Sequence, residues 1–283
     1  MGRRGPDPSF DSIEVMWGGP ACRPCDQDPI EPIPISGRWP TVHPCRRGKG
    51  AAMPTLDESY PTIVAVLDEC YGSPEAIRDD LEPFEAMVAV ILARSVEPRK
   101  GNAALTVLRD AGLLEPKPLA EADENEIGDL FREGRAPLSA RAIAPIRRLA
   151  RLLVDRHGSS AEPLRRGSPP TDPLREELAG LNGIGPATAD AILLFALRRV
   201  TYPVDRATYR VLIRHGWLDP SADYDEARGV VERVSPDDPD GLARLSRWME
   251  RIGRDYCRVG SPRCEHCPLR PVLPEGGPRE PGD

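Results

Sequence analysis

The stretch LNGIGPATADAILLFALRRVTYPVD, residues 181–205, combines two glycines, a proline and a lone aspartate in an arrangement that could do chemistry. It lies between segments of helical periodicity, so Gly183, Gly185 and Pro186 predict a tight turn that joins two helices. The first amides of a helix have no partner within it, and glycines leave such amides uncovered, so the turn is a candidate anion site. A DNA phosphate is the natural ligand, although an ordinary helix connection explains the same glycines.

Asp205 follows a short hydrophobic, strand-like stretch and precedes the helical pattern RATYRV. An aspartate in that place predicts a helix N-cap, because its carboxylate accepts hydrogen bonds from the amides of the first turn. A cap and a chemical role are compatible for the same side chain.

The chain has seven cysteines, an odd number, and its first residues, MGRRGPDPSF, lack the apolar core of a secretory signal. Both features argue against a disulfide scaffold. Three cysteines, Cys257, Cys264 and Cys267, are grouped near the C-terminus. The CRPC at 22–25 could be half of a metal or redox site, or part of an unstructured tail.

Apolar residues recur at intervals of three and four in TLDESYPTIVAVLDECYG, in PFEAMVAVILARS and in later segments, whereas alternating strand patterns are absent. The predicted fold class is therefore all-α. No apolar run of about 18 residues exists, so we expect no membrane span and a cytoplasmic protein. Residues 1–55 are rich in proline and glycine and predict a disordered leader, or sequence upstream of the true start.

The formal net charge of −7 argues against a protein that coats nucleic acid by bulk charge, so the local distribution of cations matters more. Nearly all basic residues are arginines, and seven of them fall between Arg132 and Arg156. This segment is either a solvated helix face or a strip that contacts phosphates.

The pattern LNGIGPATADAILLFAL followed by PVDRATYRV resembles the helix-hairpin-helix and aspartate signature of the endonuclease III superfamily of DNA glycosylases. The resemblance extends over roughly residues 56–270. The hairpin sequence GIGPATADAILLFA is most similar to that of the branch of endonuclease III-related proteins that includes alkylated-purine glycosylases.

The resemblance implies two helical domains with a DNA groove between them. Residues 82–197 would form a six-helix domain that ends in the hairpin, and 56–81 with 198–270 a second domain, followed by a flexible tail at 271–283. The partner implied is double-stranded DNA with a flipped damaged base, bound by a monomer without membrane contact. Asp205 matches the catalytic aspartate, which would stabilise positive charge on the sugar or activate the attacking water.

Departures from the family pattern narrow the expected activity. Strand-cutting members carry a lysine two residues after the second hairpin glycine, where this chain has Ala187. The adenine-specific branch has a glutamate where this chain has Ala89, and it adds a long C-terminal domain. The sequence therefore favours a monofunctional glycosylase acting on an alkylated base.

The loop ARSVEPRKG falls where relatives place side chains that fill the gap left by a flipped base, with Arg99 and Lys100 as phosphate contacts or parts of a plain connecting loop. Arg210 matches a recurrent family position that supports the site or contacts phosphate. The predicted DNA-binding residues are Gly183, Ile184, Gly185, Ala187, Arg94, Ser95 and Arg210.

Cys257, Cys264 and Cys267 match the first three ligands of the family's iron–sulfur loop, which implies a 4Fe-4S cluster. The fourth cysteine is replaced by Leu273. Either the cluster is lost or another ligand completes it, with Cys70 the best candidate and Cys22 or Cys25 poorer ones. A zinc site that uses His266 is a further alternative.

The function that follows is a monofunctional DNA N-glycosylase in base-excision repair. Two alternatives stay open: a catalytically silent helix-hairpin-helix protein that binds lesions, and a glycosylase with strand-cutting activity through a non-standard amine.

Overall fold

The structure is a computed structural model that describes residues 54–72, 80–134, 138–235 and 237–279, without the side chains of Pro98, Ala140 and Arg141. Within these ranges there are twelve α-helices and no β-strand, which confirms the all-α prediction. The predictions for the leader and for CRPC concern residues outside the described ones. In order, the helices are α1 (Leu56–Tyr71), α2 (Pro83–Ser95), α3 (Pro98–Asp110), α4 (Pro116–Glu121), α5 (Glu124–Glu133), α6 (Ala140–Arg156), α7 (Glu162–Arg165), α8 (Thr171–Ala179), α9 (Pro186–Ala191), α10 (Arg206–Arg214), α11 (Tyr224–Glu232) and α12 (Pro239–Asp255).

Helix α2 lies at the centre of the residues that precede the hairpin. Nine of its residues, Pro83, Phe84 and the run from Ala86 to Leu92, are buried. A helix that is apolar on nearly all sides must be covered on all sides, and α2 packs against α3, α6, α9 and the turn that follows α9. Only at its C-terminal end does α2 reach the surface, where Arg94 and Ser95 are exposed.

The loop predicted around residues 93–101 is shorter than expected. Helix α2 continues to Ser95 and α3 already begins at Pro98, so only Val96 and Glu97 connect them. Proline suits the first turn of a helix, because the amide that it lacks would have no partner there. Arg99 and Lys100 consequently lie on α3 rather than in a loop.

A second apolar cluster joins the first helix of the described part to the last ones. Ile63 and Leu67 of α1 are buried together with Leu212 of α10 and Trp248 of α12. The Trp248 indole donates a hydrogen bond to the Gly72 carbonyl, 3.1 Å away, at the end of α1. The assignment of residues 56–81 with 198–270 to one domain, and of 82–197 to another, stays a prediction.

The end of the hairpin departs from regular α-helix. After Ala191 the chain makes a π-helical turn, Ile192–Ala196, most of whose side chains are buried. The segment 200–204, which has no regular secondary structure, then leads to α10, which Asp205 caps. No helix in the described ranges is long and apolar enough to cross a bilayer.

Candidate active-site cleft

Asp205 is the N-cap of α10, as its sequence context predicts. Its Oδ1 accepts a hydrogen bond from the Thr208 amide at 2.6 Å, and the side chain is only partly buried. Among the described residues, its other carboxylate oxygen, Oδ2, accepts no hydrogen bond. Capping therefore holds the carboxylate by one oxygen and leaves the second available to a ligand.

Asp205 lines an open cleft of about 540 Å³ to which three parts of the fold contribute. The end of α2 contributes Arg94, and the start of α9 contributes Ala187. The remaining lining residues come from the start of α10 and from α12: Val204, Asp205, Arg206, Ala207, Arg210, Glu250, Gly253 and Arg254. A cleft of this size can accommodate one nucleotide base and its sugar.

Arginines outnumber carboxylates four to two in this cleft, although the whole chain is acidic. Such a local excess of positive charge attracts phosphate groups irrespective of the net charge. Asp205 and Glu250 are the two carboxylates within it. The cleft thus combines cations for an anionic backbone with carboxylates for a reacting group.

A glycine allows α12 to approach the start of α10. A Cβ at Gly253 would lie 2.1 Å from the Cβ of Ala207, so only glycine permits this separation. Two residues after Asp205, Ala207 is the point where the two helices touch. The depth of the cleft beside Asp205 therefore depends on the absence of a side chain at position 253.

Arg210 lines the cleft, but part of its guanidinium is already engaged. Its Nε donates to the Cys257 carbonyl at 3.1 Å, and its Nη1 donates to the Arg206 carbonyl at 3.0 Å. These bonds tie the floor of the cleft to the cysteine segment. The geometry favours a supporting role for Arg210 over an extended phosphate contact.

The hairpin turn joins α8 to α9 close to α6. Gly183 has φ +91°, and a Cβ there would lie 2.7 Å from Cγ of Pro145 in α6. The Arg148 guanidinium donates to the Asn182 carbonyl at 2.7 Å and fixes the turn from the same side. The predicted turn is thus present, with a glycine that both its backbone conformation and its packing require.

Only some amides of the turn are available to an anion. The Ile184 amide donates to the Leu181 carbonyl at 2.8 Å, and the Ile184 side chain is buried. Among the described residues, the amides of Gly183, Gly185 and Ala187 donate to no acceptor. A phosphate would therefore meet these three amides rather than that of Ile184.

The two residues predicted at the end of α2 differ in position. Arg94 lines the cleft. Ser95 is exposed, lies outside the lining, and its hydroxyl donates to the Ile91 carbonyl at 2.7 Å. A serine that binds the preceding turn in this way is a common helix-end arrangement.

The arginine strip from Arg132 to Arg156 is largely engaged within the protein. Arg147 pairs with Glu124 at 3.3 Å and Arg156 with Glu177 at 3.0 Å, Arg132 pairs with Asp129, and Arg148 binds the hairpin turn. These contacts favour a structural role for most of the strip. The side chains of Arg135 and Arg141 lie outside the described residues.

The three C-terminal cysteines line one narrow pocket between α10, α12 and the final turns. Cys257 is buried, and the Arg214 guanidinium donates to its Sγ at 3.3 Å. Burial, together with the smaller effect of the neighbouring thiols Cys257, Cys264 and Cys70, raises the pKa of the Cys267 thiol to about 12. Cys70 of α1 is exposed and is absent from the residues that line this pocket, so its place as a fourth ligand stays a prediction.

No three histidine, cysteine or acidic side chains within the described ranges lie close enough together to hold a single metal ion. The zinc site that uses His266 and the iron–sulfur cluster therefore both stay predictions. An iron–sulfur cluster spreads its thiolates over several iron atoms, so it does not require them to converge on a point. His266 is absent from the residues that line the pocket.

Glu250, Gly253 and Arg254 were not among the sequence-predicted site residues. They are three and four positions apart in RWMERIGRD and so share one face of α12. The spacing predicts that these residues share a helix face, but nothing in the sequence indicates that this face meets the start of α10. Arg206 was equally visible beside Asp205 and could have been predicted from its proximity.

Comparison with known proteins relates the chain to DNA repair enzymes, although no family model matches it. It is 29% identical over 188 residues to a protein of Methanocaldococcus jannaschii provisionally named a DNA repair glycosylase, covering 66% of this chain and 83% of that protein. It is 27% identical over 192 residues to endonuclease III of Thermotoga maritima, covering 68% of this chain and 82% of that enzyme. The fold matches a trapped covalent intermediate of endonuclease III with DNA at a TM-score of 0.59, with 22% identity over 79% of this chain and 98% of the other.

Proposed function

We propose that the chain, which is similar to endonuclease III and to DNA repair glycosylases, acts in base-excision repair as a monofunctional N-glycosylase. It would bind duplex DNA containing a damaged base and hydrolyse the bond between that base and its deoxyribose. The observation that carries this proposal is that Asp205 and Ala187 face the same cleft. The Asp205 carboxylate would lie beside the sugar, and Ala187 occupies the sequence position where strand-cutting relatives carry a lysine.

Hydrolysis needs an anion beside the sugar and a water molecule. As the C1′–N bond breaks, the base leaves with the electron pair and receives a proton, and positive charge develops on the sugar. The Asp205 carboxylate stabilises that charge and takes a proton from the water whose oxygen bonds to C1′. Arg94, Arg206 and Arg254 of the cleft would hold the flanking phosphates, which positions the sugar.

Strand cleavage through an imine needs a neutral amine near C1′. Of the three lysines, Lys49 lies outside the described residues, whereas Lys100 pairs with Glu97 on α3 and Lys117 is on α4. Neither described lysine lines the cleft. This distribution supports base release without β-elimination.

We also propose that the damaged base is alkylated, as the sequence resemblance implies, but the cleft offers little to a cationic base. Cationic alkylated purines are bound well by aromatic faces, but the residues that line the cleft include no aromatic side chain. Glu250 is the group there that could attract a cationic base or accept its N–H donors. Substrate tests should therefore include neutral and cationic alkylated bases separately.

We further propose that Cys257, Cys264 and Cys267 hold an iron–sulfur cluster with Cys70 as the fourth ligand. Three thiols that line one pocket support this proposal, as does the hydrogen bond that Arg214 donates to Cys257 Sγ. A bound cluster would tie the C-terminal turns to α1. Purified anaerobically, the protein should contain iron and absorb broadly in the visible range, and Cys70→Ser should lose that colour. Colourless, iron-free protein would refute the cluster.

The activity is tested with duplexes that each carry one lesion: an alkylated purine, an oxidised pyrimidine, uracil or an abasic site. Strands that break only after alkali report base release without lyase activity. Breakage without alkali, together with borohydride trapping on abasic DNA, would show that the monofunctional assignment is wrong. Lesion binding with no base release from any duplex would instead identify a silent lesion-binding protein.

A further inference from the structure

The segment that leads into Asp205 is held in place by side chains of α11. It has no regular secondary structure and therefore lacks the repeating backbone bonds of a helix, and Pro203 has no amide hydrogen. The Tyr202 amide donates to Glu232 Oε1 at 3.0 Å, and the Val204 amide donates to the Tyr224 hydroxyl oxygen at 3.3 Å. The second of these bonds is made by the residue directly before Asp205.

A buried carboxylate fixes the orientation of the Tyr224 hydroxyl. That hydroxyl donates its only hydrogen to Asp190 Oδ2 at 2.7 Å, so its lone pairs are left to accept from the Val204 amide. Burial and the neighbouring Asp190 carboxylate raise the pKa of Tyr224, so the hydroxyl keeps its hydrogen at neutral pH. Asp190 is itself held by Arg175 Nε at 2.7 Å and Thr201 Oγ1 at 3.0 Å.

Asp190 lies on α9, the helix that begins at the hairpin turn. The chain of bonds from Asp190 through Tyr224 to Val204 therefore links the helix that follows the proposed phosphate-binding turn to the residue before the proposed catalytic carboxylate. We propose that Tyr224 is a positioning residue, which sets the place of Asp205 relative to the hairpin and thus to a DNA sugar held by that hairpin. This inference rests on the proposed function of Asp205.

Tyr224→Phe removes the bond to Val204 and keeps the ring. Small misplacements of a reacting group can slow a reaction considerably, so we expect single-turnover base release to fall about tenfold. DNA affinity should stay within about twofold, because no phosphate contact is altered. A loss confined to the chemical step distinguishes positioning from general damage to the fold.

The matched control is Tyr209→Phe, in the same half of the molecule. The Tyr209 hydroxyl also binds backbone, namely the Pro220 carbonyl at 3.1 Å and the Ala222 carbonyl at 2.7 Å, but it does not touch the segment before Asp205. Tyr209→Phe should leave base release within about twofold of the parent. This variant also loses a hydrogen bond from a tyrosine hydroxyl to the backbone, but not one that holds the segment before Asp205. Equal rate losses in both variants would overturn the proposal.

Two further measurements make the test specific. In an Asp205→Asn background, Tyr224→Phe should cause no additional loss of base release, because a residue that acts through Asp205 has nothing left to position. Hydrogen exchange of the Val204 amide should be faster in Tyr224→Phe and unchanged in Tyr209→Phe. Additive rate losses, or unchanged exchange in Tyr224→Phe, would refute the role of Tyr224. If the parent releases no base from any lesion, the proposed function fails, whereas the exchange measurement still decides whether Tyr224 holds this segment.

Discussion

Two aspartates only fifteen positions apart in the sequence, Asp190 and Asp205, occupy opposite kinds of environment. Asp190 is fully buried, and both of its oxygens accept hydrogen bonds, from Arg175, Thr201 and Tyr224. Asp205 is partly exposed at a cleft and uses one oxygen to cap α10. A carboxylate saturated with partners can only hold structure together, whereas one with a free oxygen at a cleft can take part in a reaction.

The surroundings of the two residues differ in the same way. The Arg175 guanidinium lies between Asp190 and Asp225 and also sits 5.8 Å from the centre of the Tyr224 ring. In the cleft, Arg94 and Glu250 are exposed and face the open space. The buried network around Asp190 thus stabilises the fold, whereas charged groups in the cleft stay available for a ligand.

The largest effect on stability is expected in the buried network around Asp190. Asp190→Ala leaves the Arg175 guanidinium without its buried partner and the Thr201 and Tyr224 hydroxyls without their acceptor, so we expect a loss of about 3–5 kcal/mol in the free energy of unfolding. The control is Asp225→Ala, which removes the 63% exposed partner of the same arginine and should cost less than about 1 kcal/mol. Urea unfolding measures both. Similar costs would show that burial does not separate the two contacts.

Asp205→Asn tests the other member of the comparison. Asparagine caps helices about as well as aspartate, so the unfolding free energy and DNA affinity should change little. Loss of the charge should slow base release by about 10²–10³-fold, the scale seen when a group that stabilises a charged transition state is removed. Single-turnover kinetics on a lesion that the parent accepts gives the ratio. Release at the parental rate would reduce Asp205 to a helix cap.

Gly253→Ala tests whether the cleft depends on close helix packing. The new Cβ would collide with Ala207, so we expect a destabilisation of about 1–3 kcal/mol and slower base release as α12 moves from α10. Gly128 of α5 has no atom within 4 Å of an added Cβ, so Gly128→Ala should instead stabilise by up to about 1 kcal/mol. Thermal unfolding of both variants provides the check. Parental stability and base release in Gly253→Ala would show that α10 and α12 can accommodate a side chain at position 253.

The smallest effect concerns DNA binding at the hairpin turn. Gly185 has open space around an added Cβ and a negative φ of −83°, so Gly185→Val should fold normally while it covers the amides. Loss of a hydrogen bond to a phosphate should weaken binding by about 1.5 kcal/mol for every DNA sequence, damaged or not. Gly183 is unsuitable for this purpose, because its positive φ and its contact with Pro145 make any substitution disruptive. Unchanged affinity of Gly185→Val would remove the turn from the DNA interface.

Local features of the chain were readable from the sequence because they depend on neighbouring residues only. The spacing of apolar residues predicted α2 and α10, the glycines and Pro186 predicted the hairpin turn, and the context of Asp205 predicted its cap. The start of α3 at Pro98 was missed, because the polar residues that follow it read as a loop. The hydrophobic stretch before Asp205 reads as a strand, but the structure pairs its amides with side chains instead.

The sequence by itself therefore determined the all-α class, the hairpin and the position of Asp205 at a helix start, since each follows from periodicity or from the needs of a helix end. Only the tertiary structure decided which charged residues share a cleft with Asp205 and that Asp190 is saturated. Those relations join residues such as Arg94 and Glu250, or Asp190 and Tyr224, that are far apart along the chain. Their contacts arise from helix packing, including the close approach at Gly253, and no local pattern specifies which faces will meet.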